Sequence, residues 1–171
     1  MNYENYKRAR NASWECLINC SIDKLPTDLS QICHYYGIRI LKNSNLTTNK
    51  LKADERGKAV KIDNQYFIVV RDTDDIPIQR YTIAHELGHI LIDQASEYEA
   101  ERFAIGILAP ACVLWGLKIK SPTEISELCN ISIKAATIRA QRMQILYERD
   151  RFLTDPLERR LYKQFETFIN S

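Results

Sequence analysis

Apolar residues recur at helical spacing in the N-terminal fifth of the chain. Residues 3–20 place Trp14 and Ile18 on one side, which predicts a first helix. Pro26-Thr27-Asp28 can open a second, shorter helix, and Gly37 fits its end because glycine readily adopts the left-handed conformation of a helix stop. The chain is therefore predicted to begin with two helices.

The next segments have the composition of β-strands. IRIL follows Gly37, and AVKID and YFIVVRD are rich in β-branched and aromatic residues. Only Asn64-Gln65 separates the last two segments, which predicts an antiparallel hairpin. The polar residues 43–58 form a loop in this interpretation. The YFIVV strand is either an edge strand, to which an extended peptide could add, or an interior strand.

Helices are predicted for the remainder of the chain. Pro77 suits the first turn of a third helix, and Ser96 can cap a fourth that ends near Pro110. Two helical patterns then flank a break at Asn130-Ile131-Ser132, and a last helix covers about 155–170. The fold class is α+β, with a small, antiparallel-containing sheet. We expect a core over residues 1–117 and a helical C-terminal segment over 118–171.

Composition and charge narrow the function classes. The 171 residues are 45% hydrophobic and 27% charged, which is ordinary for a globular domain, and the net charge of +2 gives no general attraction for nucleic acid or an anionic membrane. The five cysteines are odd in number and contain no C-x-x-C, and no long apolar run occurs. We expect reduced, mostly buried thiols in a cytoplasmic protein without a membrane partner.

One short motif carries recognisable chemistry. The sequence TIAHELGHILI contains His85-Glu86-x-x-His89, and two of the three histidines of the chain lie in it. On a helix, residues four apart share a face, so both imidazoles can reach one Zn²⁺ at roughly 2.0–2.1 Å. Glu86 points further round the helix, where it can act as a general base on a water molecule at the metal. Residues 72–101 hold eight acids and one base, an environment that suits a divalent cation and equally describes a solvated acidic face.

The motif and the segment after it resemble a known family. RYTIAHELGHILI followed by EYEAERFAIGILAP is similar to the ImmA/IrrE metallopeptidases, whose second helix reads E-x-x-A-(N/D)-x-F-A. The resemblance implies a zincin-like core with Glu97 as the third metal ligand beside His85 and His89. Glu99 is the alternative third ligand. Where the family has Asn or Asp, this chain has Glu101, so a longer carboxylate would have to support a ligand histidine.

The resemblance also implies an activity and a partner. It implies a zinc-dependent endopeptidase with Glu86 as general base, whose substrate is a helix-turn-helix repressor of a phage, a mobile element or a stress regulon. A regulator with a non-catalytic core is the alternative. The donor for the developing oxyanion is left open among four residues: His34, Arg80, Tyr81 and Tyr98.

The C-terminal segment resembles a helix-turn-helix as well. Its second helix begins near Ile133 and offers Lys134, Thr137 and Arg139 to DNA. The excess of positive charge over residues 118–171 is small, so a packing role is preferred to DNA contact, which stays open.

Overall fold

The computed structural model describes residues 2–171, and both predicted N-terminal helices are present. Helix α1 spans Tyr3–Asn19, and α2 spans Leu29–Tyr35. The Asp28 side chain caps α2 by accepting a hydrogen bond from a backbone N–H of its first turn. Gly37, with φ of +65°, lies just beyond the end of α2, which confirms the predicted helix stop.

Three strands form a small mixed sheet. They are β1 (Arg39–Lys42), β2 (Gly57–Ile62) and β3 (Gln65–Val70), arranged in the order β1-β3-β2. The predicted hairpin is confirmed: β2 pairs antiparallel with β3 around a tight turn with positive φ at Asp63 and Asn64. Strand β1 pairs parallel with the other side of β3. The edge alternative for YFIVV is therefore wrong, since β3 is central and has both sides paired.

Three helices follow the sheet. They are α3 (Ile76–Leu91), α4 (Glu97–Leu108) and α5 (Ala111–Gly116). Helix α3 packs on β2 and β3 with one face and on α4 with another, and α1 packs on α4. Gly88 allows α3 and α4 to approach closely, because a Cβ atom at this position would lie 2.9 Å from the Cα atom of Ala100.

The C-terminal segment contains four helices. They are α6 (Pro122–Cys129), α7 (Ile133–Glu148), α8 (Pro156–Gln164) and α9 (Glu166–Ile169), so the single last helix predicted for 155–170 is interrupted at Phe165. The predicted break after α6 is present, and Asn130 adopts the left-handed conformation with φ of 50°.

One hydrophobic core joins the N-terminal and C-terminal parts. Its buried residues run from Ala9 to Phe165, and α8 packs on α1 and α5. All five cysteines are free, and all are buried, as the sequence predicted. Within residues 2–171, no helix combines the length and the apolar character that crossing a membrane requires. The molecule is of mixed α+β structure, as predicted, with α3 between the sheet and α4.

Candidate metal centre

Helix α3 brings the two motif histidines together. The four-residue spacing places them one turn apart on the same face, with ring centroids 4.9 Å apart. Their Nε2 atoms are separated by 3.2 Å. Both side chains are half-buried, since His85 is 17% and His89 is 26% exposed. The pair therefore points its ring nitrogens toward one common position at the surface.

Helix α4 supplies a carboxylate to the same position. Glu97 is its first residue, directly after the cap Ser96. One carboxylate oxygen of Glu97 lies 3.1 Å from His85 Nε2, and the other lies 3.1 Å from His89 Nε2. The Glu97 side chain is 78% exposed, so this side of the cluster is open to solvent.

Glu99, the alternative third ligand, is engaged elsewhere. Its side chain is 2% exposed and accepts a hydrogen bond of 2.7 Å from Arg8 Nε. It also closes a capping box by accepting from the backbone N–H and the hydroxyl of Ser96. The Arg8 hydrogen bond, assisted by those from Ser96, holds the pKa of Glu99 at about 2. Of the two carboxylates, only that of Glu97 faces the histidine pair.

The donor set fits a metal ion. His85, His89 and Glu97 each offer one ligand atom, and these atoms all lie within 4.8 Å of one another. Two donors at roughly 2.0–2.1 Å from a tetrahedral ion are about 3.3 Å apart, close to the observed 3.1–3.2 Å separations. Two imidazoles and one carboxylate are a ligand set typical of catalytic zinc, because three protein ligands leave a fourth position open.

The histidine support expected from Glu101 is not formed. Nδ1 of His85 is buried and has no hydrogen-bond partner among residues 2–171, so the exposed Glu101 makes no bond to it. Metal-ligating histidines usually donate their second ring N–H to a carboxylate, a carbonyl or water. The polar contacts of His85 are instead made by Nε2, with Glu97 and His89.

The side chain of Glu86, on α3, faces the start of β2. Its Cγ atom is 3.8 Å from the position of a Cβ atom built on Gly57. Burial raises the pKa of Glu86 above its ordinary value, while His85, His89 and the backbone N–H of Ala59 lower it. The involvement of Gly57 was not anticipated from the sequence, because Gly57 belongs to the segment 43–58 that was predicted to be a loop, whereas β2 begins at Gly57.

The four candidate oxyanion donors lie in different environments in the structure. Arg80 donates to the backbone carbonyls of Thr27 and Asn130, at 2.9 and 3.1 Å, and so ties α3 to two loops. His34 is exposed on α2. The Tyr98 hydroxyl is buried, and no residue among 2–171 hydrogen-bonds to it. The Tyr81 ring centroid is 6.3 Å from that of His85, so Tyr81 lies beside the histidine pair.

Comparison with known proteins agrees with this geometry. The family model for the IrrE N-terminal-like domain of the M78 peptidases matches residues 33–140, more than half of the chain. No curated protein and no solved structure matches the chain. The matched range begins in α2 and ends in α7, so it includes the sheet, the histidine motif and the helix that carries Glu97.

Proposed function

Because the chain belongs to the M78 peptidase family, with an IrrE N-terminal-like domain, we propose that it is a zinc-dependent endopeptidase. The observation that carries the proposal is the convergence of His85, His89 and Glu97 next to Glu86. Membership of the family supports a metallopeptidase, and the donor set supports a metal site in this chain. The three motif residues His85, Glu86 and His89 and the acidic ligand Glu97 are all present, which favours a catalytic core over a vestigial one.

Each residue of the site has a defined role in the proposed reaction. His85, His89 and Glu97 would hold the ion, and zinc would act as a Lewis acid toward the scissile carbonyl and the attacking water. Glu86 accepts a proton from the attacking water and passes it to the nitrogen of the leaving amine. The partial burial of Glu86 against β2 holds its carboxylate beside the histidine face of α3.

The open form of the site favours a protein substrate. Glu97 is largely exposed, and two surface cavities of about 530 and 560 Å³ are lined by other residues than the histidine pair. A small-molecule enzyme usually encloses its substrate in a concave pocket. The family resemblance suggests a helix-turn-helix transcriptional repressor of a phage, mobile element or stress regulon as the substrate, encountered in the cytoplasm.

Cleavage of a repressor whose gene lies beside the gene of this protein tests the proposed activity. Wild-type protein and Glu86→Gln are each incubated with the purified repressor, and fragments are identified by mass spectrometry. The substitution preserves size and hydrogen bonding, so the fold and the metal content should not change. Cleavage should fall about 10²–10⁴-fold, because an amide cannot accept the water proton.

Metal content and circular dichroism of both proteins are the controls. Undiminished cleavage by a folded, metal-loaded Glu86→Gln protein would remove Glu86 from the mechanism. Absence of cleavage by wild-type protein, with zinc bound, would instead favour a regulator whose metallopeptidase core is not catalytic.

A further inference from the structure

A second candidate site lies away from the metal centre. A cavity of about 530 Å³, here called the basic cavity, is enclosed by α1, α4, α7 and the segment that leads into α8. Seven basic side chains and two acidic ones line it. Its volume lies within the range of about 300–1,000 Å³ that is typical of small-ligand sites. A wall of this charge favours an anionic ligand if its positive side chains are not already paired within the protein.

Arg139 is the most buried cation of the basic cavity. It is 8% exposed, and its guanidinium donates one hydrogen bond of 2.9 Å to the carbonyl of Ile105 on α4. Its Nε atom is buried and has no partner among residues 2–171. Burial, together with the positive charges of Arg102 and Arg142, lowers the pKa of Arg139 to about 10. A buried cation without an anionic partner is costly, so this position favours binding of an anion.

Two further arginines of the basic cavity have the same unsatisfied atom. The Nε atoms of Arg102 and Arg142 are buried and lack a hydrogen-bond partner among the described residues. Their guanidinium groups lie over aromatic rings, 4.8 Å from the centroid of Tyr6 for Arg142 and 5.4 Å from that of Tyr98 for Arg102. Stacking orients a planar guanidinium while leaving its edge free to donate.

The acidic side chains of the basic cavity do not satisfy these arginines. Asp155 forms an ion pair of 3.1 Å with Arg10 and caps α8. Glu158 is 4% exposed and accepts hydrogen bonds from the backbone N–H groups of Leu153 and Thr154. The three arginines therefore line one cavity, and each has a buried Nε donor without a partner among residues 2–171.

We propose that the basic cavity binds a small phosphate-bearing anion through Arg102, Arg139 and Arg142. Guanidinium groups match the oxygen geometry of phosphate, and charge-assisted hydrogen bonds of this kind are roughly twice as strong as neutral ones. The size of the cavity selects a small molecule. Since α1 and α4 form one wall and α7 the other, the bound anion bridges the peptidase core and the C-terminal segment.

Isothermal titration of the full chain tests the site directly. Inorganic pyrophosphate and ADP are titrated separately at matched ionic strength in chloride. We expect saturable binding of at least one of them with a Kd below about 1 mM. Arg142→Gln should weaken that binding about tenfold or more, because it removes one charge-assisted donor. Arg160→Gln is the matched control: it also removes one positive charge, but from an exposed position outside the basic cavity, and it should leave the Kd unchanged.

Two additional variants control for misfolding and for binding of the anion at the metal centre. Arg151 is exposed and lines the basic cavity, so Arg151→Gln should weaken binding without affecting the fold if Arg142→Gln proves unstable. His89→Ala should bind with wild-type affinity, which separates the basic cavity from chelation at the metal centre. Equal affinity for pyrophosphate and ADP would indicate that the protein recognises the phosphates alone. Higher affinity for ADP would indicate a further contact with the nucleoside. Absence of saturable binding, or equal weakening by Arg142→Gln and Arg160→Gln, would overturn the proposal.

Discussion

At the scale of single residues, Glu97 and Glu99 have opposite roles although they are neighbours on α4. The Glu97 carboxylate faces His85 and His89 and is mostly exposed. The Glu99 carboxylate is buried against Arg8 and Ser96. Glu97→Ala should therefore abolish stoichiometric zinc binding with little change in stability. Glu99→Ala should retain zinc and lower the free energy of unfolding by about 1–2 kcal/mol, through loss of the capping box and a buried acceptor.

Elemental analysis and urea unfolding of the two variants measure these effects side by side. Full zinc content in Glu97→Ala would show that another residue completes the ligand set. Loss of zinc from Glu99→Ala at unchanged stability would reverse the two assignments.

The signal that distinguishes these two residues is present in the sequence. Ser96-x-x-Glu99 has the spacing of a capping box, in which the acidic residue turns back to the helix start and is not free to bind a metal. The two histidines are likewise placed by helical periodicity alone. The Arg8–Glu99 bond, by contrast, joins residues 91 positions apart, and no local pattern encodes it.

At the scale of elements, the metal centre depends on how closely α3 and α4 approach. A Cβ atom on Gly88 would lie 2.9 Å from Ala100 Cα and 3.2 Å from the carbonyl oxygen of Ala100. Because the obstacle is backbone, α4 must move as a whole, and Glu97 moves with it. Gly88→Ala should weaken zinc binding about ten- to hundredfold. Its net effect on stability should be a loss of about 0–2 kcal/mol, since crowding costs about 1–3 kcal/mol and Ala gains about 1 kcal/mol of helix propensity.

Gly106→Ala is the matched control for this packing argument. A Cβ atom on Gly106 would clash with the Ser13 side chain of α1. Gly106 lies near the C-terminal end of α4, far from the first turn that carries Glu97. This variant should be destabilised and still bind zinc with wild-type affinity. Equal zinc affinities for Gly88→Ala and Gly106→Ala would show that the spacing of α3 and α4 does not set the site.

Local elements were predictable from the sequence, whereas their neighbours in space were not. The hairpin of β2 and β3 followed from a short polar turn between two β-rich segments. The central position of β3 depends on the parallel pairing of β1, which is separated from β3 by the polar loop and by β2. The run Ile68-Val69-Val70 is buried throughout, and an uninterrupted apolar run of this kind does favour an interior strand.

At the scale of the whole molecule, the C-terminal segment shares the core of the peptidase part. Arg139 of α7 donates to the Ile105 carbonyl of α4, and Gln164 of α8 donates to the carbonyls of Leu17 and Ile22. Arg139, one of the three residues that the second helix could offer to DNA, is therefore buried against α4. The boundary after residue 117 stays a prediction. Helical periodicity cannot reveal that α8 packs on α1, because the same apolar stripe on α8 could equally pack within a separate C-terminal helix bundle.

The shared core predicts a single cooperative unfolding transition. Phe165 is fully buried in the cluster that also contains Leu17 and Trp14, so Phe165→Ala should destabilise the whole chain by about 3–5 kcal/mol. This loss is a large part of the 5–15 kcal/mol typical of a folded domain, and it should lower the urea midpoint of tryptophan fluorescence and of circular dichroism together. Phe168→Ala, at a half-buried position three residues further on, is the control and should cost less. An early, separate transition in Phe165→Ala, with zinc retained after it, would instead mean that the C-terminal segment folds independently of the metal centre.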